Sequence, residues 1–509
     1  MLQERTPKVS VVIPTYNSAD FITCALDSID AQEYPDVEII VVDDGSTDDT
    51  KGIVERYGHN IRLVSQANAG PAVARNRGLR EASGKYVAML DADDWFLPTK
   101  FHKQVALLED NTQLGAVHSG WMLADASGRE FGTVEPWHVS PKLNVKTWLA
   151  YQPVRLGSLL FRREWLTKVG GFDKEMRQSE DTELLLRLAV EGCKFEWLKE
   201  PTLCYRHHSG SMVRSRVSEQ AASMQMLLNK VFANPRLPSS VRHCESSVRY
   251  YSTTWIAWHL FQTGHGDATE DYLESAARHS SFTKSQMIQD WTAQFAFWHS
   301  TEGKDPDQVR AMWPKFRHAT QATAAEWQRI ENNLNWCLDV WTHYAQKNYE
   351  QGATKLQTSP YTRSSGRGLY SQLHFYVTFT PWLDGLEAVE RLWSDATALG
   401  WVTNADQLCL ARLYARLACR LLWCSNLKGA SIAMMRAVKT GAMPRDWPAW
   451  KRTAERDSGN TRGRTRQQCN DELGHRTRKF VPQVVTTDPS VEADDATSQS
   501  LPRPRRNAA

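Results

Sequence analysis

The 509-residue sequence has little net charge of either sign, 61 Lys and Arg against 58 Asp and Glu, or +3. That is too little to hold a polyphosphate by field strength alone, which disfavours a general nucleic-acid binder. What basicity there is sits at the end: from Lys451 onward 12 basic residues face 8 acidic ones, leaving the first 450 residues close to neutral. Cysteine is sparse and scattered, nine residues with no C-x-x-C or metal-knuckle spacing, which argues against a disulfide framework and structural zinc and fits reduced thiols in a cytosol. No apolar run reaches the ~18 residues a membrane span requires. The nearest, 401–423, is interrupted by Arg412, Arg416 and Arg420. The charged start, Met1 to Lys8, runs straight into a short apolar strand and offers no signal-peptide core. Also missing is G-x-G-x-x-G: Pro14-Thr15-Tyr16-Asn17 follows the first apolar run instead, which disfavours a dinucleotide site. A cytoplasmic chain is expected, in contact with the membrane at most peripherally, at its inner face.

What is present is enough apolar residue, 41%, to build cores, and a length with room for two to four folding units at about 150 residues each. The first two hundred residues alternate β-branched runs with helical periodicity. Strands are predicted at Val9–Pro14, Val37–Asp43, Ile61–Ser65 and Tyr86–Leu90, and helices at Ala19–Ala31, Thr47–Tyr57 and Gly70–Ala82. This is an α/β pattern, an open, mostly parallel sheet flanked by helices. Ligands of such sheets sit beyond the carboxyl ends of the strands, so the polar residues that follow each strand are the ones to examine. Beyond about Arg214 the strand signal gives way to helices rich in Ala, Leu and Trp. Tyr250–Ser280 and Cys409–Pro444 read as helical hairpins of about 34 residues, the length of tetratricopeptide-like repeats, although small residues at helical spacing are also ordinary bundle packing. Ser359–Arg367 is a polar linker inside this region, and the composition after Lys451 predicts disorder. The expected division is thus 1–215 α/β, 216–450 all-helical and 451–509 tail.

Three polar clusters follow the predicted strands. Asp91-Ala92-Asp93-Asp94 places three carboxylates directly after an apolar strand, an arrangement that costs energy unless a cation is bound, and oxygen ligands favour Mg²⁺ or Mn²⁺. An isolated D-x-D is as readily a solvated turn with Asp94 capping the next helix. Asp43-Asp44-Gly45-Ser46 follows the second strand in the same way; alone it is an ordinary loop, but at this edge an Asp could accept from a base N–H or a ribose hydroxyl. The third, Asn68-Ala69-Gly70-Pro71-Ala72-Val73-Ala74-Arg75-Asn76-Arg77-Gly78, opens a helix at the same edge and brings Arg75 toward a phosphate, where an exposed helix arginine is the bland reading. Tyr16 stands where a base could stack on it, or where a loop aromatic simply packs.

Together these segments resemble the family 2 glycosyltransferases, nucleotide-diphospho-sugar transferases with a GT-A fold, over about Val9 to Arg216. The resemblance implies that the first strand's loop (Pro14, Thr15, Tyr16) and Asp43 and Asp44 hold the nucleoside, with Asn68, Gly70 and Arg75 near the nucleotide. It also implies that Asp91 and Asp93 bind ribose and a divalent metal. It continues through Gly170-Gly171-Phe172-Asp173 and Ser179-Glu180-Asp181, which makes Asp181 the general base beside Glu180. Tyr205-Arg206-His207-His208 then aligns His208 with a histidine near the metal and diphosphate. A carboxylate at a helix N-terminus is stabilised in its charged form, as a base requires, and is also what any helix start prefers. The family often carries an aromatic soon after the E-D pair; Thr182 and Leu185 stand there, which bears on acceptor preference.

The function these expectations describe is inverting transfer of a sugar from a nucleotide-diphosphate donor, a UDP-sugar in the first instance, to a glycan or lipid-linked saccharide hydroxyl, with Mn²⁺ or Mg²⁺ as cofactor. The alternative is a catalytically weakened glycosyltransferase-like scaffold whose helical half binds a protein partner; the presence of every expected carboxylate speaks against it. A nucleotidyltransferase would want a Gly-rich phosphate loop with Arg and Lys after the first strand, and Thr15–Ala19 has none.

Overall fold

The computed structural model describes residues 7–58, 61–138, 140–150, 154–208, 217–301, 304–358 and 386–398. Its α/β part is built on strands β1 (Val9–Thr15), β2 (Val37–Asp43), β3 (Ile61–Ser65), β4 (Tyr86–Met89), β5 (Trp95–Phe96), β6 (Leu114–Ala124), β7 (Glu130–Val134), β8 (Leu160–Arg162) and β9 (Lys194–Arg206). Helices α1 (Ile22–Asp30), α2 (Thr50–Tyr57), α3 (Pro71–Glu81), α4 (Lys100–Asp110), α5 (Val145–Ala150), α6 (Arg163–Lys168) and α7 (Glu180–Val190) accompany them.

The nine strands form one sheet in the order β3-β2-β1-β4-β8-β6-β9-β5, with β7 paired to β6. The first four are parallel, as the apolar, doubly covered runs predict. Beyond β4 the sheet is mixed: β8 runs antiparallel to both β4 and β6, while β6 and β9 are parallel with irregular register. The chain steps from β1 through β2 to β3 on one side and returns to β4 on the other, so a topological switch point lies between β1 and β4. Register aligns Thr15 with Asp43 and Asp43 with Ser65 along the carboxyl edge.

Alternate residues of β1 enter two cores. Val9, Val11 and Ile13 pack with Ile22, Leu26 and Ile29 of α1 and Phe101 and Leu108 of α4. Val12 faces the other way, with Ala72 and Ala74 of α3. There α3 lies so close to the sheet that a Cβ on Gly78 would stand 2.2 Å from Val12 Cγ1, which accounts for the glycine.

The division expected at 215/216 does not coincide with a break in packing. The helix Val217–Ala233 buries Ala221, Leu227 and Leu228 in the same core as Phe172 and Leu184. Lys230 pairs with Asp173 at 2.5 Å and Glu175 at 2.7 Å, and Ser223 Oγ accepts from the Gln178 N–H at 3.3 Å. The compact unit holding the sheet runs to Met287 and includes Lys315–Thr323. Within it, Glu245–Gln262 and Gly266–Arg278 form the first predicted helical hairpin, turning at Gly264 with φ +82°. Among the described residues, the other unit holds 288–301, 304–314, 324–358 and 386–398, with Leu334, Leu338, Tyr344, Leu356 and Leu392 buried. The second predicted hairpin, the 359–367 linker, the interrupted run 401–423 and the tail lie outside the described residues. No described helix is long and apolar enough to cross a membrane, and the five described cysteines are free thiols.

Candidate active site

The loops after β1 and β2 are stitched together. Ser46 Oγ accepts from the Asn17 N–H (3.0 Å), Asn17 Oδ1 from the Thr47 N–H (2.7 Å), and Asp48 Oδ2 from the Ala19 N–H (3.0 Å). This brace leaves Tyr16, just beyond β1, 47% exposed. Pro14 is half-buried, and Thr15 is buried with no hydrogen-bond partner for Oγ1 among the described residues.

The two aspartates after β2 part company. Asp43 is buried and spends Oδ1 on the Ser46 N–H at 3.0 Å. Asp44 spends both oxygens on the loop before α3: Oδ1 accepts from Gln66 Nε2 (2.8 Å) and the Ala69 N–H (2.9 Å), Oδ2 from the Gly70 N–H (2.8 Å). Both Asp44 oxygens thus hold the loop before α3. Gly45, at φ +80°, lets the two loops meet, since a Cβ there would lie 2.9 Å from the Asn68 nitrogen. Asn68 is exposed and Gly70 half-buried at the mouth of α3.

The carboxylates after β4 also differ in their partners. Asp94 is buried and its Oδ1 accepts from the Arg206 N–H at 3.0 Å; burial, then the charges of Asp93 and Asp91, push its carboxyl well above the usual range. Asp93 meets His208, Nε2 to Oδ2 at 2.9 Å, and the Phe21 ring stands 4.9 Å from that imidazole. Asp91 turns toward Arg75 Nη2 at 2.6 Å. Among the described residues, the three donor atoms crowded within 4.8 Å of one another belong to Glu270, Glu274 and His318 and not to Asp91, Asp93 and His208; at the former, Lys315 Nζ already stands 3.9 Å from Glu270. At the Asp91–Asp94 edge the donor set, carboxylate oxygens with one imidazole, suits a hard dication, with Asp93 and His208 as the pair in place.

Arg75 is only 6% exposed. Its Nη1 pairs with Glu180 and its Nη2 with Asp91, and Phe172 covers the guanidinium at 5.6 Å. Both terminal nitrogens hold protein carboxylates. The next residue completes the segment: Asn76 Nδ2 donates to the Phe172 carbonyl (2.7 Å) and its Oδ1 accepts from the Phe172 N–H (2.8 Å).

At the start of α7, Ser179 is left-handed, φ +59°, and three carboxylates occupy the first turn. Glu180 is 7% exposed and goes to Arg75; burial and the neighbouring Asp181 raise its pKa while Arg75 opposes them. Glu183 is taken by Arg187, at 2.8 Å to Nε and 2.6 Å to Nη2, which also donates to the Gly171 carbonyl. Asp181 remains half-buried, with Oδ1 on the Thr182 N–H (2.6 Å) and no hydrogen-bond partner for Oδ2 among the described residues.

The family model for Glycosyl transferase family 2 matches residues 10–164. An uncharacterized glycosyltransferase of Nostoc sp., alr2836, is 32% identical over 233 residues, 43% of this chain and 71% of that protein. The chain belongs to glycosyltransferase family 2. The uncharacterized glycosyltransferase YibD of Escherichia coli is 40% identical over 144 residues, 28% of this chain; the match spans 40% of YibD's own length, well under two thirds. Residues 1–349 of Staphylococcus aureus TarS are similar in crystal structure at 18% identity and a TM-score of 0.44, covering 62% of this chain and 90% of that one, a likeness too low to bear on donor or metal.

Within this family 2 chain, sequence reasoning passed over Arg206 as a structural clamp. Arg206 donates through Nε to the Asp93 carbonyl (2.9 Å) and through Nη1 to the Ala126 carbonyl (3.1 Å), and lies over the Trp95 ring at 4.6 Å. Its place two residues before His208 in Tyr205-Arg206-His207-His208 was the available signal. Arg155, stacked at 4.1 Å on Tyr205, carries no sequence signal of its own.

Proposed function

We propose that this chain is an inverting glycosyltransferase that moves a sugar from a nucleotide-diphosphate donor, with UDP-sugars the first to test, to a hydroxyl of a glycan or lipid-linked saccharide. The observation that carries the reading is the division of labour on α7: Glu180 is buried and paired with Arg75, Glu183 is buried and paired with Arg187, and Asp181 is the first-turn carboxylate that is half-buried and in no ion pair among the described residues. Asp181 Oδ2 takes the proton of the acceptor hydroxyl. The acceptor oxygen forms its bond to the anomeric carbon as the bond from that carbon to the diphosphate oxygen breaks, and the nucleoside diphosphate departs with the electron pair. One displacement inverts the centre without a covalent intermediate. In this reading Tyr16, exposed beyond β1, and the second carboxylate oxygen of Asp43 would take the nucleoside. Asp93 and His208, with Asp91 beside them, would hold a Mn²⁺ or Mg²⁺, which supplies charge stabilisation to the leaving diphosphate.

The test is Asp181→Asn, which keeps the size of the side chain and its capping ability. Transfer, or the slower hydrolysis of a UDP-sugar in which water is the acceptor, should fall by about 10² to 10⁴, while calorimetric affinity for UDP in Mn²⁺ stays near wild type. Normal turnover by the folded variant would remove Asp181 from the mechanism.

A further inference from the structure

Arg75 and Glu180 lie 105 residues apart and meet in the interior, Nη1 of one on a carboxylate oxygen of the other. The second terminal nitrogen of the same guanidinium reaches Asp91 at 2.6 Å, at the end of β4. Phe172 closes over the guanidinium face, and Asn76 fixes Phe172 through both its backbone groups. The Nε is buried without a hydrogen-bond partner among the described residues, so the side chain is held by its two carboxylates and by packing. A group with so little exposure and both terminal nitrogens occupied is poorly placed to grip a diphosphate.

From this geometry we propose that Arg75 is a positioning residue: it joins the strand end that carries the acidic edge to the first residue of α7 and, through Glu180, sets where the neighbouring Asp181 carboxylate stands. The inference rests on the reading of Asp181 as base. Glu180 and Asp181 follow the left-handed Ser179, so Glu180 is the anchored end of the turn that carries Asp181. Arg75 also feels the charge of Asp181 directly, which places that carboxylate in the same electrostatic group. A displacement of a reacting group by about 1 Å is enough to cost on the order of 10² in rate, so loosening the anchor should be read in turnover and not in donor affinity. A lysine cannot replace the bridge, because one ammonium does not reproduce the fork that spans two carboxylates.

The experiment compares wild type, Arg75→Lys, Glu180→Gln and the double variant by calorimetry with UDP and Mn²⁺, and by kcat and KM for hydrolysis of a UDP-sugar. Both single variants should keep the UDP Kd and the donor KM within about threefold and lose at least about 30-fold in kcat, and the double variant should be no worse than about threefold below the weaker single, since the two residues act as one unit. A UDP Kd that rises in step with the loss of kcat/KM in Arg75→Lys would make Arg75 a direct donor contact and overturn the proposal. So would unchanged kcat with only a lower melting temperature, the mark of a packing role, and so would losses that multiply in the double variant. Should Arg75→Lys fail to fold, the near-isosteric Glu180→Gln decides the matter by the same split between Kd and kcat. The underlying reading fails separately: wild type that neither binds UDP or GDP in Mn²⁺ nor hydrolyses any nucleotide sugar would refute the activity itself.

Discussion

Asn76 offers a direct test of how α3 organises the site. Its amide straddles the Phe172 peptide, donating at 2.7 Å and accepting at 2.8 Å, next to Gly170 and Gly171 at φ +80° and +74°. A Cβ on Gly171 would lie 2.2 Å from Asn76 Oδ1, so the loop and the amide fit only with glycine there. Asn76→Ala removes two hydrogen bonds of about 1 kcal/mol each, or about 2 kcal/mol, corresponding to a melting temperature lower by about 3 °C for a unit of this size. Asn76→Asp is the sharper variant. It keeps the acceptor for the Phe172 N–H but turns the donor into a second acceptor facing the Phe172 carbonyl. The folded state then favours the protonated acid, so the Asp pKa is raised above its unfolded value of about 3.9. Its stability deficit should be full at pH 7 and shrink as pH falls through the raised pKa. Thermal melts of both variants against wild type at pH 7 and pH 4.5 provide the assay. An aspartate variant that melts with wild type at pH 7, or whose deficit is the same at both pH values, would refute the assignment of these two bonds.

Two further expectations concern separate parts of the molecule. Tyr16→Ala should weaken UDP binding by about 1 kcal/mol, roughly fivefold, with no change in melting temperature because the ring is exposed; calorimetry and a melt on the same sample check both halves. Glu38 is held down to about 2: burial alone would raise its pKa, but hydrogen bonds from Ser10, Lys8 and Ser83 outweigh it. Its folded pKa lies below the unfolded one, so its contribution, on the order of 3 kcal/mol at most, is present above about pH 5 and disappears as pH falls toward 2. Glu38→Gln should lower stability at pH 7 and flatten the acid limb of the stability curve, read by urea melts across pH.

The parallel half of the sheet was legible because β1, β2 and β4 are short apolar runs buried on both faces, and the strand-end rule then pointed to Tyr16, Asp43 and Asp91–Asp94. What each polar residue does there was not legible in the same way. Asp43 and Asp44 are adjacent and chemically identical, yet one keeps an oxygen open while the other closes the loop before α3, a difference set by where Gln66, Ala69 and Gly70 fall in three dimensions. Arg75 reads as an exposed helix residue or a phosphate ligand, because its true partners are 16 and 105 residues away. The antiparallel insertion of β8 between β4 and β6 depends on tertiary pairing that local periodicity does not encode. The division at 215 followed the loss of strand signal, but Val217–Ala233 buries its apolar face on the α/β core, so the compact unit continues past the change in secondary structure.

The account stands or falls on whether the edge beyond β1, β2 and β4 takes a nucleoside diphosphate together with a divalent ion. Calorimetric titration of UDP and of GDP into wild type and Asp93→Asn, each with and without Mn²⁺, measures this directly. Binding of at least one nucleotide that requires Mn²⁺ and weakens at least tenfold in Asp93→Asn, about 1.4 kcal/mol, is the predicted result. Absence of binding by either nucleotide in Mn²⁺, or equal affinity in the folded Asp93→Asn variant, would contradict it.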